Sequence, residues 1–204
     1  MTISSPRPDT GRHLLRDTGG ATLIEFALLF PTFIILLMGG FDLAHTQYTR
    51  AVLLGQMQKA ARDSALDANN SITAQNALDE SVRAAVIKVA ASAQLTFVRQ
   101  AYYTYRLAQS KAEPFIDTNA NNDCDDGESY EDANRNGTWD VDAGKVGQGG
   151  GKDVVIYTVT VRYDRLFPMP SLSGWSHEVV LTSTTLLRNQ PFEKQAVPIV
   201  RRCT

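Results

Sequence analysis

Two stretches of this sequence hold side chains able to do chemistry, and both are built around carboxylates. The first repeats with a period of 15: Glu113 aligns with Glu128, Phe115 with Tyr130, Asp117 with Asp132, Asn119 with Asn134, Asn121 with Asn136 and Asp125 with Asp140. Oxygen-bearing side chains at alternate positions of a curled loop can converge on one hard cation such as Ca²⁺. Residues 113–145 carry ten acids against Arg135 and Lys145, a local charge of −8 in a chain of net charge −2. A loop so charged repels itself, so a bound cation is expected to order it. The second stretch is the apolar run from Leu23 to Phe41, whose only charge is Glu25. A carboxylate costs about 2.5–3.5 kcal/mol at a bilayer centre and less near the edge, and by default marks function, so Glu25 needs a partner.

Each acidic copy resembles an EF-hand loop, and more closely the D-x-N-x-N-G-x-x-D repeats of secreted bacterial proteins; the likeness to dockerin loops is looser. The resemblance implies that Asp117, Asn119, Asn121, Asp123 and Asp125 occupy loop places 1, 3, 5, 7 and 9, with Glu128 at place 12. Place 7 normally binds through its carbonyl, so the Asp123 side chain is not required as a ligand. Place 6 is usually glycine; Asn122 stands there and also tolerates a left-handed backbone. In the second copy Asp132, Asn134, Asn136 and Asp140 match and Gly137 fills place 6, but Ala143 stands at place 12. Asp142, or an acid of the first copy such as Glu131, is expected to substitute. No flanking EF-hand helices are evident. The cofactor implied is Ca²⁺, up to two ions, with affinities of about 10⁻⁴–10⁻³ M sufficing outside the cell.

The apolar run from Leu23 to Phe41 rises about 28 Å as a helix, close to the roughly 30 Å hydrocarbon core. Arg7, Arg12 and Arg16 precede it against Asp9 and Asp17, so the leader should stay cytoplasmic and the C-terminal bulk should lie outside. Pro31 removes one helical hydrogen bond and could kink the span. The run exceeds a secretory signal core, and no clear small-x-small cleavage site follows it.

Gly19-Gly20 closes the leader and Ala21-Thr22-Leu23-Ile24-Glu25-Phe26 follows. This resembles the processing site of type IV prepilins, most closely the Flp-type pilins and the TadE-like pseudopilins of tight-adherence systems. Shared features are the G-x-x-x-x-E-F start, the F-A-L-L-F-P run, Asp42 just beyond the span and Ala60-Ala61-Arg62 after it. The resemblance implies that a membrane prepilin peptidase cuts between Gly20 and Ala21. Glu25 is then the fifth residue of the mature chain and Phe26 the aromatic after it. The new α-amine of Ala21 lies about one helical turn from Glu25, so the carboxylate can neutralise it within one chain or between subunits.

The elements that must position these groups follow from periodicity. Tyr48, Val52, Leu53, Met57, Ala60 and Ala61 recur at helical spacing, so residues 22–66 are expected as one long helix, half in the membrane and half outside. Asp67 to Asn70 breaks it, and Ser71 or Thr73 caps a second helix with Leu78, Val82, Ala85, Val86 and Val89 on one face. The period then changes to two over Leu95–Leu107, Val155–Asp164 and Val179–Leu187, giving strands with one buried face. The expected class is α+β: a long N-terminal helix, a second helix and a small antiparallel sheet, the general arrangement of pilin-like proteins. The expected parts are a leader (1–20), a membrane helix (21–45), outer helices and first strand (46–112), the acidic insertion with a flexible glycine-rich return (113–151), C-terminal strands (152–192) and a loose tail (193–204). Cys124 and Cys203 fit no metal motif; they could form one bridge in an oxidising compartment or remain separate thiols.

Catalysis is not expected. His13, His45 and His177 are scattered, and there is no G-x-S-x-G, P-loop or H-E-x-x-H. Trp139 and Trp175 could stack on a sugar, but Trp139 reads better as local packing in its repeat. A net charge of −2 gives no reason to expect nucleic acid. Two functions stay open: a minor pilin-like subunit of a tight-adherence type IVb pilus or secretion apparatus, in a bacterial inner membrane with its C-terminal domain in the periplasm or at the surface, and a membrane-tethered calcium-binding adhesin outside any filament.

Overall fold

Why one chain needs two different surfaces is visible along its first helix, α1 (Gly19–Ser64). The computed structural model describes residues 19–66, 71–167, 176–190 and 195–203, and the chain divides into two units, 1–45 and 46–204. In the first unit the described residues are helix, and their large apolar side chains point outward: Leu23, Ile24, Phe26, Leu28 and Leu29 are all exposed. It is the one helix among the described residues long and apolar enough to cross a membrane. Helix continues through Pro31. It starts three residues before the expected Thr22, at Gly19.

In the second unit the helical stretch after His45 turns amphipathic and buries Leu53, Met57 and Ala60. Helix α2 (Ile72–Ile87) starts at Ser71, whose hydroxyl accepts from the Ala74 amide at 3.2 Å, so Ser71 rather than Thr73 is the cap. Its spacing places Val82 and Val86 in the same core.

Strands β1 (Gln94–Tyr102), β3 (Lys145–Val146), β4 (Val154–Asp164) and β5 (Glu178–Arg188) form an antiparallel sheet in the order β3-β1-β4-β5. Strand alternation assigns the faces. Tyr157, Val159, Val161 and Tyr163 of β4 face the core with Leu95 of β1, and Phe97 opposite Val159 packs against them. The intervening Thr158 and Thr160 pair hydroxyls with Thr184 and Thr182 on the other face, at 3.1 and 3.3 Å. The class is therefore α+β, with a long apolar N-terminal helix, a second helix and small antiparallel sheets.

One part-buried ion pair fixes α2 to the sheet. Arg99 donates two hydrogen bonds to Asp79, at 2.7 and 2.6 Å, and the Tyr157 hydroxyl donates to the same carboxylate at 2.7 Å. The Arg99 guanidinium also lies 4.3 Å from the Tyr157 ring centroid. Burial, with Asp79 as acceptor, pushes the Tyr157 phenol well up, so it stays a donor.

Three expectations are corrected. The first strand ends at Tyr102: Thr104 caps the short helix α3 (Tyr105–Ser110), its hydroxyl accepting from the Leu107 amide at 3.2 Å. Tyr105 and Leu107 therefore follow helical geometry. The glycine-rich return is not a free linker. It holds β3, and Gln148, only 4% exposed, donates to the Ser64 carbonyl at 3.0 Å and to Asn189 at 2.9 Å. Residues 199–202 are not a loose tail: β6 (Ile199–Arg202) pairs with β2 (Ser129–Asp132) in a second, two-stranded sheet.

Asp79→Ala should destabilise the second unit by about 1–3 kcal/mol, because it removes the acceptor of the part-buried Arg99 guanidinium and of Tyr157, whereas Thr184→Ala on the open face should change it by less than about 0.5 kcal/mol. Denaturant unfolding of the detergent-solubilised chain measures both.

Candidate functional site

Residues 113–143 are seated on the main fold by a small second core. Ala133 and Ala143 pack with Tyr102, Leu107, Ala108 and Val154. The sequence repeat is reproduced in the backbone. Positive φ occurs at Ala120 (61°) and Asn122 (65°) in the first loop, and 15 residues on at Arg135 (62°) and Gly137 (90°). Only at place 6 of the second loop does glycine relieve that geometry.

In the first loop Asp117 accepts the amides of Ala120, Asn121 and Asn122, at 2.6, 3.3 and 2.9 Å. Asn119 and Asn121 each donate to one oxygen of Asp125 at 2.6 Å. Places 3, 5 and 9 thus converge, with Asp117 holding the turn. Asp123 is exposed, and only its amide enters the network, donating to Asn121 at 2.9 Å. Glu128 closes the loop. One of its oxygens accepts the Thr118 amide at 2.7 Å and hydroxyl at 2.8 Å, and the other accepts the Asp125 amide at 3.1 Å. These amides, that of Thr118 foremost, hold its carboxyl below the usual range.

The second loop copies the first. Asp132 accepts the amides of Asn136 and Gly137, both at 3.0 Å. Asn134 and Asn136 converge on one oxygen of Asp140, at 2.7 and 2.5 Å. The carboxylate that closes this loop is Glu113. It accepts the Ala133 amide at 2.8 Å and the Asp140 amide at 3.2 Å. Glu113 is 1% exposed, and that burial raises its carboxyl pKa against the lowering effect of the amides. Neither expected substitute does this. Asp142 turns to the Tyr102 hydroxyl at 2.9 Å, and Glu131 sits on the exposed side of β2, opposite in phase to Tyr130 and Asp132.

The two copies meet in an antiparallel bridge, Phe115 opposite Tyr130. Trp139 packs edge-on against Phe115 with centroids 5.3 Å apart and donates to the Glu113 carbonyl at 3.0 Å, a local packing role. Tyr130 is 2% exposed and its hydroxyl has no hydrogen-bond partner among the described residues. Burial raises its phenol pKa, Asp132 adds to the rise and Arg201 opposes it; Tyr130 shares the buried side of β2 with Asp132. Residues 195–203 strap the whole. Cys203 is disulfide-bonded to Cys124, Arg201 reaches the fully buried Asp132 at 2.5 Å, and Arg135 donates to the Val197 carbonyl at 3.0 Å.

Among the described residues no three His, Cys, Asp or Glu side chains are gathered as a ready metal cluster. The carboxamides of Asn119, Asn121, Asn134 and Asn136 turn their nitrogens to Asp125 or Asp140 and their oxygens to backbone amides; with these carboxamides turned over, carboxylate and carboxamide oxygens would form sets that suit Ca²⁺ rather than a transition metal. Sequence reasoning missed the roles of Glu113 and Arg201. The alignment of Glu113 with Glu128 was the signal for the first; nothing local signalled the second.

In the other candidate site, Glu25 and Phe26 lie exposed on α1, and the Phe26 ring stacks on Phe30 at 5.0 Å. Gly20 and Ala21 fall in its first turn. The basic leader and Trp175 lie outside the described residues. Residues 20–66 match the family model for TadE-like protein. The match covers Gly20 to Phe26, the rest of the apolar helix and its amphipathic continuation. No curated protein and no solved structure matched the chain.

Cys203→Ser should loosen the insertion: a bridge across 79 residues contributes about 4.5 kcal/mol on chain-entropy grounds. Limited proteolysis should then cut between residues 117 and 143, with the four-stranded sheet still intact by circular dichroism.

Proposed function

We propose that this chain is a membrane-anchored, pseudopilin-like subunit of a tight-adherence type IVb pilus or secretion apparatus. The observation that carries this is the TadE-like match over residues 20–66, with Glu25 exposed on an apolar helix. In this role a prepilin peptidase cuts between Gly20 and Ala21 at the cytoplasmic face of a bacterial inner membrane. The outer unit then stands in the periplasm or at the surface. The Glu25 carboxylate lies about 6 Å of helical rise from the new amine at Ala21, near enough to neutralise it in the same chain or to guide lateral association with a neighbouring pilin helix. The partners are therefore the membrane, the peptidase and other pilin or pseudopilin subunits.

The acidic insertion serves as a Ca²⁺-binding module on that outer unit. Support comes from the duplicated loop geometry and from Glu113, Glu128 and Asp132, which are buried. An anionic cluster of this kind is relieved by a divalent cation.

N-terminal sequencing of the membrane-extracted protein should read from Ala21, and deletion of the prepilin peptidase should restore the leader. A chain that still begins at Met1 in the presence of the peptidase refutes pilus processing and favours the tethered adhesin. Glu25→Ala should lower recovery with the pilus fraction by on the order of tenfold, equivalent to about 1.4 kcal/mol of lost pairing, with the unfolding midpoint of the outer unit unchanged. Calorimetric titration should show Ca²⁺ binding with Kd of about 10⁻⁴–10⁻³ M or tighter; absence of heat at millimolar Ca²⁺ refutes the module's role.

A further inference from the structure

The second loop lacks an acid at place 12, and its fold explains why. Ala143 is 2% exposed and packs in the small core with Tyr102, Leu107 and Val154. A glutamate there would put an unpaired charge among apolar side chains. The carboxylate has instead come from the other end of the insertion. Glu128 bonds the amides of Thr118 and Asp125, and Glu113 bonds those of Ala133 and Asp140. Each member of the second pair lies 15 residues after its counterpart in the first. Each glutamate lies two residues before its own half of the Phe115–Tyr130 bridge, and with each repeat counted from its glutamate (113–127 and 128–142) it closes the loop of the other repeat.

A further observation points to a ligand in the second loop. The Tyr130 hydroxyl is buried without a partner among the described residues, and Tyr130 shares the buried side of β2 with Asp132, which opens the second loop that Asp140 and Glu113 complete. A buried hydroxyl left unpaired costs about 1–3 kcal/mol. A cation, or a water on it, placed between those acids would give it one.

We propose that Glu113 supplies the terminal carboxylate of the second calcium loop, so that the two copies exchange glutamates across the Phe115–Tyr130 bridge and bind two Ca²⁺ as a coupled pair. This rests on the Ca²⁺ role assigned above and adds to it the ligand, the stoichiometry and the coupling. The coupling is mechanical. Drawing Glu113 onto one ion pulls on the bridged segment that leads to Asp117, and drawing Glu128 onto the other pulls on β2, which carries Asp132.

The full chain in detergent, titrated with Ca²⁺ by calorimetry and with Tb³⁺ by luminescence, tests this. Trp139 lies at place 8 of the second loop and should sensitise Tb³⁺ bound there; Trp139→Phe should remove that emission. The wild-type chain should bind two ions. Glu113→Gln should lose Trp139-sensitised emission, with at least about a tenfold fall in affinity at that loop, and keep one Ca²⁺. Glu128→Gln should keep the emission and lose the other ion. Asp140→Asn should match Glu113→Gln, and the ion retained in each variant reports that the module still folds. Two ions bound by Glu113→Gln with unchanged emission overturn the exchange while leaving Ca²⁺ binding in place. One ion bound by the wild-type chain, without sensitised emission, also overturns it, Arg201 then being the cation that compensates Asp132. No binding by the wild-type chain overturns both proposals.

Discussion

A carboxylate withdrawn from water must have its oxygens satisfied by donors or cations, and the insertion is organised around that constraint. Glu113, Glu128 and Asp132 are almost fully buried, yet each is met by backbone amides that the curled loops aim inward. The left-handed residues at the two equivalent positions of each copy bring those amides round. Without the buried acids the loops would have no reason to curl, and without the curl the acids could not be buried. Arg201 adds the single guanidinium in contact with Asp132, from a strand distant in sequence.

The remainder of the second unit carries this arrangement. Helical side chains cover one face of the sheet, threonines line the other, and the Asp79–Arg99–Tyr157 cluster stops α2 from sliding over β1 and β4. Ala133 and Ala143 anchor the insertion to the same sheet through Val154, whose neighbour Val155 points into the main core. Adjacent residues of one strand thus join the core to the loops. The first unit answers to a different solvent: a row of exposed Leu, Ile and Phe side chains on α1 is stable only where apolar surface is not penalised.

Periodicity made most of the regular structure legible. Alternation marked β4 and β5, and the apolar stripe marked α2, because each packs one face against a single layer. Where a segment was too short for its period to be decisive, other forces took over. Thr104 turned the end of an apparent strand into a helix by offering a cap, and Gln148 and Asn189 tied down glycines that looked free. The basic run Arg201-Arg202 looked like a solvated end, because its partner Asp132 lies far away in sequence. The site was half legible: the repeat exposed both loops, but the reach of Glu113 to the Ala133 and Asp140 amides goes with an antiparallel bridge that no linear spacing displays.

The disulfide encloses nearly everything that follows the first loop, with β2 to β6 all falling between Cys124 and Cys203. A ribosome delivers these residues in order, so Cys124 waits as a lone thiol until both long strands of the main sheet have been made. The covalent closure of the insertion therefore waits on the residues that form the main sheet, and an oxidant acting before Cys203 is made would meet Cys124 without its native partner.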